Sequence, residues 1–329
     1  TNFRSLQCKR VCSTMSTRKA KLSVVIHTEE EFDWNGGFFA SNNQVTHGKE
    51  LTTFCEKLIA LGANIVFAMD YAFVSSEQGK EVIQHFKTHF ASKVEFAAHL
   101  HPWVNPPYAA EDNVPEHDSY PGNLPPDIEK AKLAELTDRI ASLTGYRPTT
   151  YLAGRYGIGK NSHKILNELG YKVDLSITPF TDYGYQEGPD FSKYNNDEVT
   201  IDGIRCIPHS TGFVSYLTRF TDYLNRKAGH LDKLNNNLLG KILLKLLGVR
   251  KVRLSPEGFS SKDMSTLSDS LSRIGVKHLI FSFHSSTVKA GITPYTQDKD
   301  ALRDFEHSAM EYLGSQNTAQ HTNFMQVKK

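Results

Sequence analysis

The sequence predicts an α/β fold, a single closed or nearly closed (β/α) barrel of about seven parallel strands. Seven short apolar runs alternate with longer segments of helical periodicity, and this alternation is typical of a mainly parallel sheet. Six or seven strand–helix units in one run favour a closed or nearly closed barrel over two separate domains. The candidate functional residues fall at the ends of predicted strands, where barrels of this kind carry their active sites.

The predicted strands are short apolar runs, and the predicted helices carry apolar residues at helical spacing. The strands are expected at 22–26, 65–68, 94–98, 149–152, 173–177, 204–207 and 279–283. The helices are expected at 48–61, 126–143, 160–169, 230–248, 262–274 and 298–313. Two segments rich in polar residues, 104–125 and 178–203, are predicted to be long loops.

The predicted helix over 230–248 is unusually rich in leucine. Its apolar residues are Leu238, Leu239, Ile242, Leu243, Leu246 and Leu247. A helix of this composition can lie on a membrane surface. Such helices more often pack against their own domain, and we expect that arrangement here.

Composition excludes several classes of protein. The 329-residue chain has a formal net charge of +2, so we expect no nucleic-acid partner. No apolar stretch approaches the ~20 residues of a membrane span, so we expect no stable membrane insertion. Cys8, Cys12, Cys55 and Cys206 form no metal-knuckle pattern and suit a reducing compartment without structural disulfides. Together with the lack of a secretory signal, this predicts a cytoplasmic location and leaves the oligomeric state open.

Both ends of the chain are predicted to lie outside the barrel domain. Basic residues are concentrated ahead of the first strand, which predicts a disordered basic N-terminal extension over residues 1–20. Met15 lies inside this segment, and we hypothesise that the native chain begins there. The barrel is expected to span residues 21–315 as one domain, followed by a polar tail over 316–329.

Two groups of residues at strand ends suit a divalent metal ion. The first strand is followed by four acidic residues within five positions, Glu29, Glu30, Glu31 and Asp33, which cannot all be buried as ions without partners. The third strand ends at His99 and His101, whose i, i+2 spacing places both imidazoles on one face. One carboxylate with two histidines and open positions is typical of a catalytic zinc site.

A third group supplies acid–base chemistry. His284 ends the last predicted strand and is a candidate general acid. Asp174 ends another strand, and we expect it to hydrogen-bond that imidazole, raise its pKa and fix its tautomer. Trp103, Tyr108 and Tyr156 are candidates for the wall of a sugar site, because aromatic rings pack well against the apolar faces of sugars.

These motifs and their order resemble the polysaccharide deacetylase family, carbohydrate esterases that remove N- or O-acetyl groups from glycans. The resemblance runs from about Lys21 to Leu313. It rests on Glu30-Glu31-Phe32-Asp33-Trp34, His99-Leu100-His101-Pro102-Trp103, Ala153-Gly154-Arg155-Tyr156-Gly157, Asp174-Leu175-Ser176 and Phe283-His284-Ser285-Ser286 with Pro294-Tyr295. It implies a distorted (β/α) barrel, in agreement with the strand count.

The resemblance also implies roles for single residues. Glu29, His99 and His101 are expected to bind the metal, with zinc as the expected ion. His284 is expected to protonate the leaving amine or alkoxide, and Asp174 to tune it. Apart from the resemblance, Arg155 is a candidate for a replacement of the positive charge that the family carries at the position of Leu152, and Trp103, Arg155 and Tyr156 are candidates for substrate binding.

The sequence departs from the family at two positions. The family has Asp at the position of His27, where it acts as base for the attacking water, and Arg at the position of Leu152, which tethers that Asp. A neutral His27 is a candidate proton acceptor or an additional nitrogen ligand. Three functions therefore stay open: a metal-dependent sugar deacetylase, a catalytically impaired glycan-binding or regulatory protein, and a metal hydrolase acting on non-sugar amides.

Overall fold

The computed structural model describes residues 20–227, 231, 234, 236–316 and 321–324. The N-terminal extension predicted over 1–20 lies outside the described residues except for Ala20, which is buried. Cys8 and Cys12 also lie outside them, whereas Cys55 and Cys206 are buried free thiols. From the predicted C-terminal tail, residues 321–324 lie against the first strand, where His321 pairs with Leu22.

The described part of the chain contains twelve strands, and eight of them form one large sheet. The strands are β1 (Lys21–Thr28), β2 (Phe38–Phe39), β3 (Ile65–Met69), β4 (Val94–Leu100), β5 (Asn113–Val114), β6 (Thr150–Ala153), β7 (Val173–Asp174), β8 (Val199–Ile201), β9 (Ile204–Cys206), β10 (Thr211–Val214), β11 (Arg250–Arg253) and β12 (His278–His284). The large sheet has the order β12-β1-β3-β4-β6-β7-β9-β8, and its first seven strands are parallel. This confirms the predicted (β/α) fold with seven parallel strands.

The helices follow the predicted ranges closely, with α2, α3 and α6 additional. They are α1 (Gly48–Ala60), α2 (Tyr71–Ser75), α3 (Glu77–His89), α4 (Pro126–Thr144), α5 (Ser162–Glu168), α6 (Thr218–Arg226), α7 (Leu238–Leu246), α8 (Ser261–Arg273) and α9 (Lys299–Gly314). Local sequence explains several ends. Ser76, Ser260 and Asp298 cap helix N-termini with their side chains, and Gly145 ends α4 in a left-handed conformation.

The barrel is distorted because its two edges are not joined by a strand ladder in the described part of the chain. β12 lies at one edge, and the antiparallel β8 lies at the other. The gap is bridged by the segment around the β10–β11 hairpin: Ser210 Oγ accepts from the amide of Ile280 (2.9 Å), and the Leu254 carbonyl accepts from the amide of Ser282 (3.0 Å). This arrangement places β11 and the loop after it beside the last strand.

The leucine-rich helix does not pack as predicted. Only Gly240 and Leu244 of α7 are buried, and its other leucines face outward. The prediction that this helix is covered by its own domain is therefore wrong among the described residues. No described helix, α7 included, is both long and apolar enough to cross a bilayer.

Candidate active site

His27, Glu29, His99, His101 and His284 converge at the carboxyl ends of neighbouring strands. β12, β1, β3 and β4 are consecutive parallel strands, so their carboxyl ends lie side by side. His27 of β1 is in register with His284 of β12, and the His27 ring lies 5.2 Å from the His99 ring, centroid to centroid. The residues that the sequence analysis took from distant segments therefore surround a common space.

Glu29, His99 and His101 form a buried group with donor atoms within 4.8 Å of one another. Glu29 Oε2 lies 3.2 Å from His99 Nε2 and 3.5 Å from His101 Nε2. The other ring nitrogens are occupied: His99 Nδ1 bonds the Leu152 carbonyl (2.8 Å), and His101 Nδ1 bonds Glu30 (2.9 Å). Both Nε2 lone pairs are thereby directed toward Glu29, which is the arrangement of metal-binding histidines with oriented partners.

A second layer of buried carboxyl groups holds His101 in place. Glu30 accepts from Trp103 Nε1 (2.8 Å) as well as from His101, and the Trp103 ring stacks on the imidazole at 4.3 Å. Burial raises the pKa of Glu30 to about 7, and burial together with Glu30 raises the pKa of Asp70 well above its usual range. The raised pKa of both carboxyl groups keeps the pair behind His101 from being fully ionised near pH 7.

The protonation states of the first group suit a cation. Burial lowers the pKa of both His99 and His101, so each imidazole is neutral near pH 7. Burial opposes ionisation of Glu29, but the positive charge of the nearby His284 lowers the pKa of Glu29 to about 2. An ionised carboxylate with two neutral imidazoles, oriented from behind and buried, fits a divalent metal ion such as Zn²⁺.

His284 is held by Glu257 and not by Asp174. His284 Nδ1 lies 2.9 Å from Glu257 Oε2, and the same carboxylate accepts from the His284 amide (2.9 Å) and from Thr287 Oγ1 (2.6 Å). Burial opposes protonation, but Glu257 and Glu29 raise the pKa of His284 to about 9. The imidazole is therefore cationic near pH 7 and able to donate a proton.

The predicted contact between Asp174 and His284 is wrong, for a reason of register. Asp174 lies beside Tyr151 in the sheet, whereas His99 lies beside Leu152. Because successive strand residues point to opposite faces, Asp174 faces the helices and not the interior. There it contacts His163 Nε2 of α5 (3.0 Å) and accepts from the amide and hydroxyl of Ser176.

We predict that Asp174→Ala lowers the free energy of unfolding by about 2–4 kcal/mol, because it removes the buried carboxylate that bonds His163 and both the amide and the hydroxyl of Ser176. Denaturant unfolding measures the change. The matched control is Asp190→Ala, which removes a similar Asp–Ser turn from an exposed loop; its expected cost is below about 1 kcal/mol. A folded Asp174→Ala protein of unchanged stability would contradict the structural role assigned here.

His27 lies between the group of Glu29, His99 and His101 and His284. Its ring centroid is 4.8 Å from that of His284, and its Nε2 lies 3.4 Å from the Tyr156 hydroxyl. Burial and the positive charge of His284 lower the pKa of His27 well below 6.5, so it is a neutral but weak base. His209 lies 5.5 Å from it and bonds the Leu175 carbonyl through Nδ1, with Nε2 unpartnered among the described residues.

The group lies at the base of a cleft of about 710 Å³ with largely aromatic walls. Both tryptophans of the chain, Trp34 and Trp103, line it, together with Tyr156, Tyr183 and Tyr295. Trp103 is buried behind His101, whereas Trp34 and Tyr295 have exposed faces. Tyr108 is exposed and is not among the lining residues, so the expectation that it walls the site is wrong.

Arg155 and Tyr156 occupy a strained turn at the side of the cleft. Both have left-handed backbone conformations (φ 53° and 58°), which are costly for residues other than glycine. The Arg155 guanidinium lies over the rings of Phe38 and Tyr120 and bonds Glu116 Oε1 (2.6 Å). Arg155 lines the cleft as predicted, but its charge is already compensated.

Gly154 precedes this turn and has no room for a side chain. A Cβ there would lie 2.3 Å from the Leu100 carbonyl oxygen and 2.5 Å from His101 Cδ2. We predict that Gly154→Ala displaces His101 and weakens Zn²⁺ binding about 10- to 100-fold, the range for disturbing the support of a metal ligand. Calorimetric titration measures it. Gly314→Ala, where the nearest atom lies 3.9 Å away, is the control, and equal affinities in both variants would contradict the prediction.

Sequence reasoning missed several residues of the site. Glu257 lies in a loop between β11 and α8, and Arg253 ends β11 within a run of basic residues. His209 and Asp70 follow short strands without a recognisable motif. The sequence gives one weak signal for two of these residues, which is their position. Asp70 and Arg253 lie at the end of a strand, as do the site residues that were predicted.

Comparisons with known proteins give similarities of architecture only. No protein-family model and no curated protein sequence matches the chain. A protein from Mycobacterium smegmatis described as a polysaccharide deacetylase is 13% identical, with coverage of 89% of this chain and 85% of that one and a TM-score of 0.45. PuuE allantoinase is 14% identical (90% and 85% covered, TM-score 0.44). A 4-α-glucanotransferase from Thermococcus litoralis is 12% identical (91% and 38% covered, TM-score 0.48). These proteins differ in reaction, so none assigns an activity to this chain.

Proposed function

We propose that this protein is a metal-dependent hydrolase that removes acetyl groups from an N- or O-acetylated sugar. The convergence of Glu29, His99 and His101 beside a cationic His284 in one aromatic cleft carries the proposal. Acetyl transfer to water needs stabilisation of an oxyanion, a proton acceptor and a proton donor. The cleft offers a candidate for each.

Glu29, His99 and His101 would hold the metal ion, for which we propose zinc. When bound, such an ion polarises a carbonyl oxygen and lowers the pKa of water. The protein's part is to keep both imidazoles neutral and oriented, through the Leu152 carbonyl and through Glu30. It also keeps the ligands out of bulk water, since all three are buried.

His284 is the proposed proton donor. Its imidazolium is fixed by Glu257 through Nδ1, which leaves Nε2–H to protonate the departing nitrogen or oxygen. Glu257 thus has the role that the sequence analysis gave to Asp174. Tyr295 stacks on the His284 ring with an interplanar angle of 6° and limits its rotation.

His27 is the proposed acceptor of the proton from the attacking water. It shares the inner face of the sheet with His284 and His99, but its lowered pKa makes it a weaker base than a carboxylate held ionised. Turnover limited by proton removal is the consequence. This observation also favours a second candidate, a glycan-binding protein of the same fold that hydrolyses poorly or not at all.

Acetate release from a panel of acetylated compounds tests the proposal. The purified protein is loaded with Zn²⁺ and given N-acetylated oligosaccharides, O-acetylated sugars and simple N-acetyl amides. Release from a sugar supports the proposed function. Release from the simple amides alone supports a non-sugar amide hydrolase. Binding of sugars without acetate release, at every metal concentration, supports the glycan-binding alternative.

A further inference from the structure

Arg253, at the end of β11, places a positive charge in the cleft without a carboxylate partner. Its two terminal nitrogens donate to the hydroxyls of Tyr156 (3.2 Å) and Tyr183 (3.4 Å), and the guanidinium lies 5.3 Å from the centre of the Tyr156 ring. Among the described residues, no carboxylate lies within 4.0 Å of it. All of its hydrogen-bond partners are therefore neutral.

The other cations of the cleft are compensated. Arg155 is paired with Glu116, and His284 is paired with Glu257. Arg253 is half-buried, and taking a charge out of water without a counter-ion is unfavourable. A compensating group that comes from outside the chain explains why this position tolerates an arginine surrounded by tyrosines.

We propose that Arg253 binds an anionic substituent of the substrate, a sugar carboxylate. A planar guanidinium matches a carboxylate in geometry, and one free cation matches its single charge. Tyr183 accepts a hydrogen bond from Arg253 and keeps its own O–H free to donate to the same anion. A phosphate dianion would need further cations, and Lys251 nearby is already bonded to the Phe180 carbonyl.

The position of Arg253 relative to the proposed reaction centre sets the substrate class. Arg253 bonds Tyr156, and the Tyr156 hydroxyl lies 3.4 Å from His27 Nε2, so the cation is two hydrogen bonds from the proposed base. This separation suits a carboxylate and an acetyl group on the same or the adjacent sugar ring. The assignment rests on the proposed function and deepens it: the substrate is an acetylated acidic sugar.

Binding of simple sugars, without hydrolysis, tests Arg253 directly. Quenching of Trp34 and Trp103 reports occupancy, because both line the cleft. The probes are glucuronate, glucose and glucose 1-phosphate, added to the metal-loaded protein. We expect glucuronate to bind about 10- to 100-fold more tightly than glucose, as for a charge-assisted hydrogen bond. In Arg253→Met this preference should fall below about 3-fold, and Arg253→Lys should retain part of it.

Lys251→Met is the matched control, because it removes the same charge two residues away and should keep the preference. No preference for glucuronate in the wild type, or an unchanged preference in Arg253→Met, overturns the proposal; the latter result would place the carboxylate on the metal. Tighter binding of glucose 1-phosphate than of glucuronate overturns it in favour of a phosphate. A preference that persists in a protein releasing no acetate leaves Arg253 assigned and removes the proposed function alone.

A separate observation concerns the surface of α7. Its exposed apolar side chains join those of Tyr216 and Leu217, since Tyr216 bonds the Leu247 carbonyl at the end of the helix (2.9 Å). Leu239 and Leu246 are 80% and 72% exposed. We name this the apolar surface, formed by Tyr216, Leu217, Leu238, Leu239, Ile242, Leu243 and Leu246. Leaving so many large apolar groups in water is unfavourable unless a partner covers them.

The charge around the apolar surface indicates the partner. The described residues of 215–245 include Arg219, Arg226, Lys227, Lys241 and Lys245, against the single acidic residue Asp222, which is paired with Arg273. We infer that the apolar surface binds an anionic lipid bilayer at its interface. Leucines entering the acyl boundary with lysines beside them are typical of interfacial helices.

Vesicle sedimentation tests this inference. We expect binding to vesicles with 30% phosphatidylglycerol to exceed binding to pure phosphatidylcholine at least about 10-fold. Leu239→Glu with Leu246→Glu should remove binding, and Ile128→Glu, at an exposed apolar position on α4, should not. Equal binding by all variants, or none by the wild type, overturns the inference. Self-association without lipid that the same double variant abolishes overturns it in favour of a second copy of the chain.

Discussion

Replacing His99 with alanine is expected to weaken binding of a divalent metal ion by more than about 100-fold. The variant removes one of the three proposed metal ligands. The loss of affinity should therefore exceed the ~10–100-fold loss expected when a residue that orients a ligand is disturbed. The wild-type protein should carry about one ion per chain after purification without chelators. Elemental analysis and calorimetric titration with Zn²⁺ measure stoichiometry and affinity.

The metal should also contribute to stability, because a preformed site of this kind is absent from the unfolded chain. At a metal concentration 1,000-fold above Kd, binding adds about 4 kcal/mol to the free energy of unfolding. Chelation should therefore lower the Tm of the wild type by several degrees and leave His99→Ala unchanged. His85→Ala, which removes a histidine paired with Glu56 on the outer surface, is the matched control. Equal metal content in His99→Ala and the wild type would contradict the assignment of His99 as a metal ligand.

Most of the fold and the convergence of Glu29, His99 and His101 could be predicted because both depend on local patterns. Buried parallel strands are short apolar runs, and their ends bring distant residues to one edge of the sheet. For that reason Glu29, which follows β1, and His99 with His101, at the end of β4, could be placed together before any distance was known. The leucine-rich helix α7 was predicted less completely. Its apolar pattern predicts a helix but does not show what its leucines contact.

The partner of His284 could not be predicted because it depends on register and on a loop. Asp174 ends a strand, as expected, but β7 contains two residues and its register turns that carboxylate toward α5. Glu257 comes from the loop between β11 and α8, near the gap between the edge strands β8 and β12, where no periodic pattern exists. Arg253 looked like part of a basic run, and only the packing of two tyrosines around it shows that it lies in the cleft.

Replacing His284 with alanine is expected to lower kcat for an N-acetylated sugar by about 10²–10⁴-fold, the range for loss of a general acid. An amine leaves poorly unless it is protonated, and no other described imidazole in the cleft has a raised pKa. For p-nitrophenyl acetate, whose phenolate leaves without a proton, the loss should stay below about 10-fold. Acetate release and nitrophenolate absorbance measure the two rates.

Glu257→Gln separates positioning from proton donation. The amide keeps the shape of the side chain but not the charge that raises the pKa of His284 to about 9, so the imidazole is expected to be largely neutral at pH 8. The variant should therefore lose activity toward the N-acetylated sugar steeply between pH 6 and pH 8, where the wild type keeps its donor protonated. Rates with p-nitrophenyl acetate should show no such difference, and Asp174→Ala should follow the wild type with both substrates. Equal losses of activity with both substrates in His284→Ala would mean that His284 contributes to substrate binding or to folding and does not donate the proton.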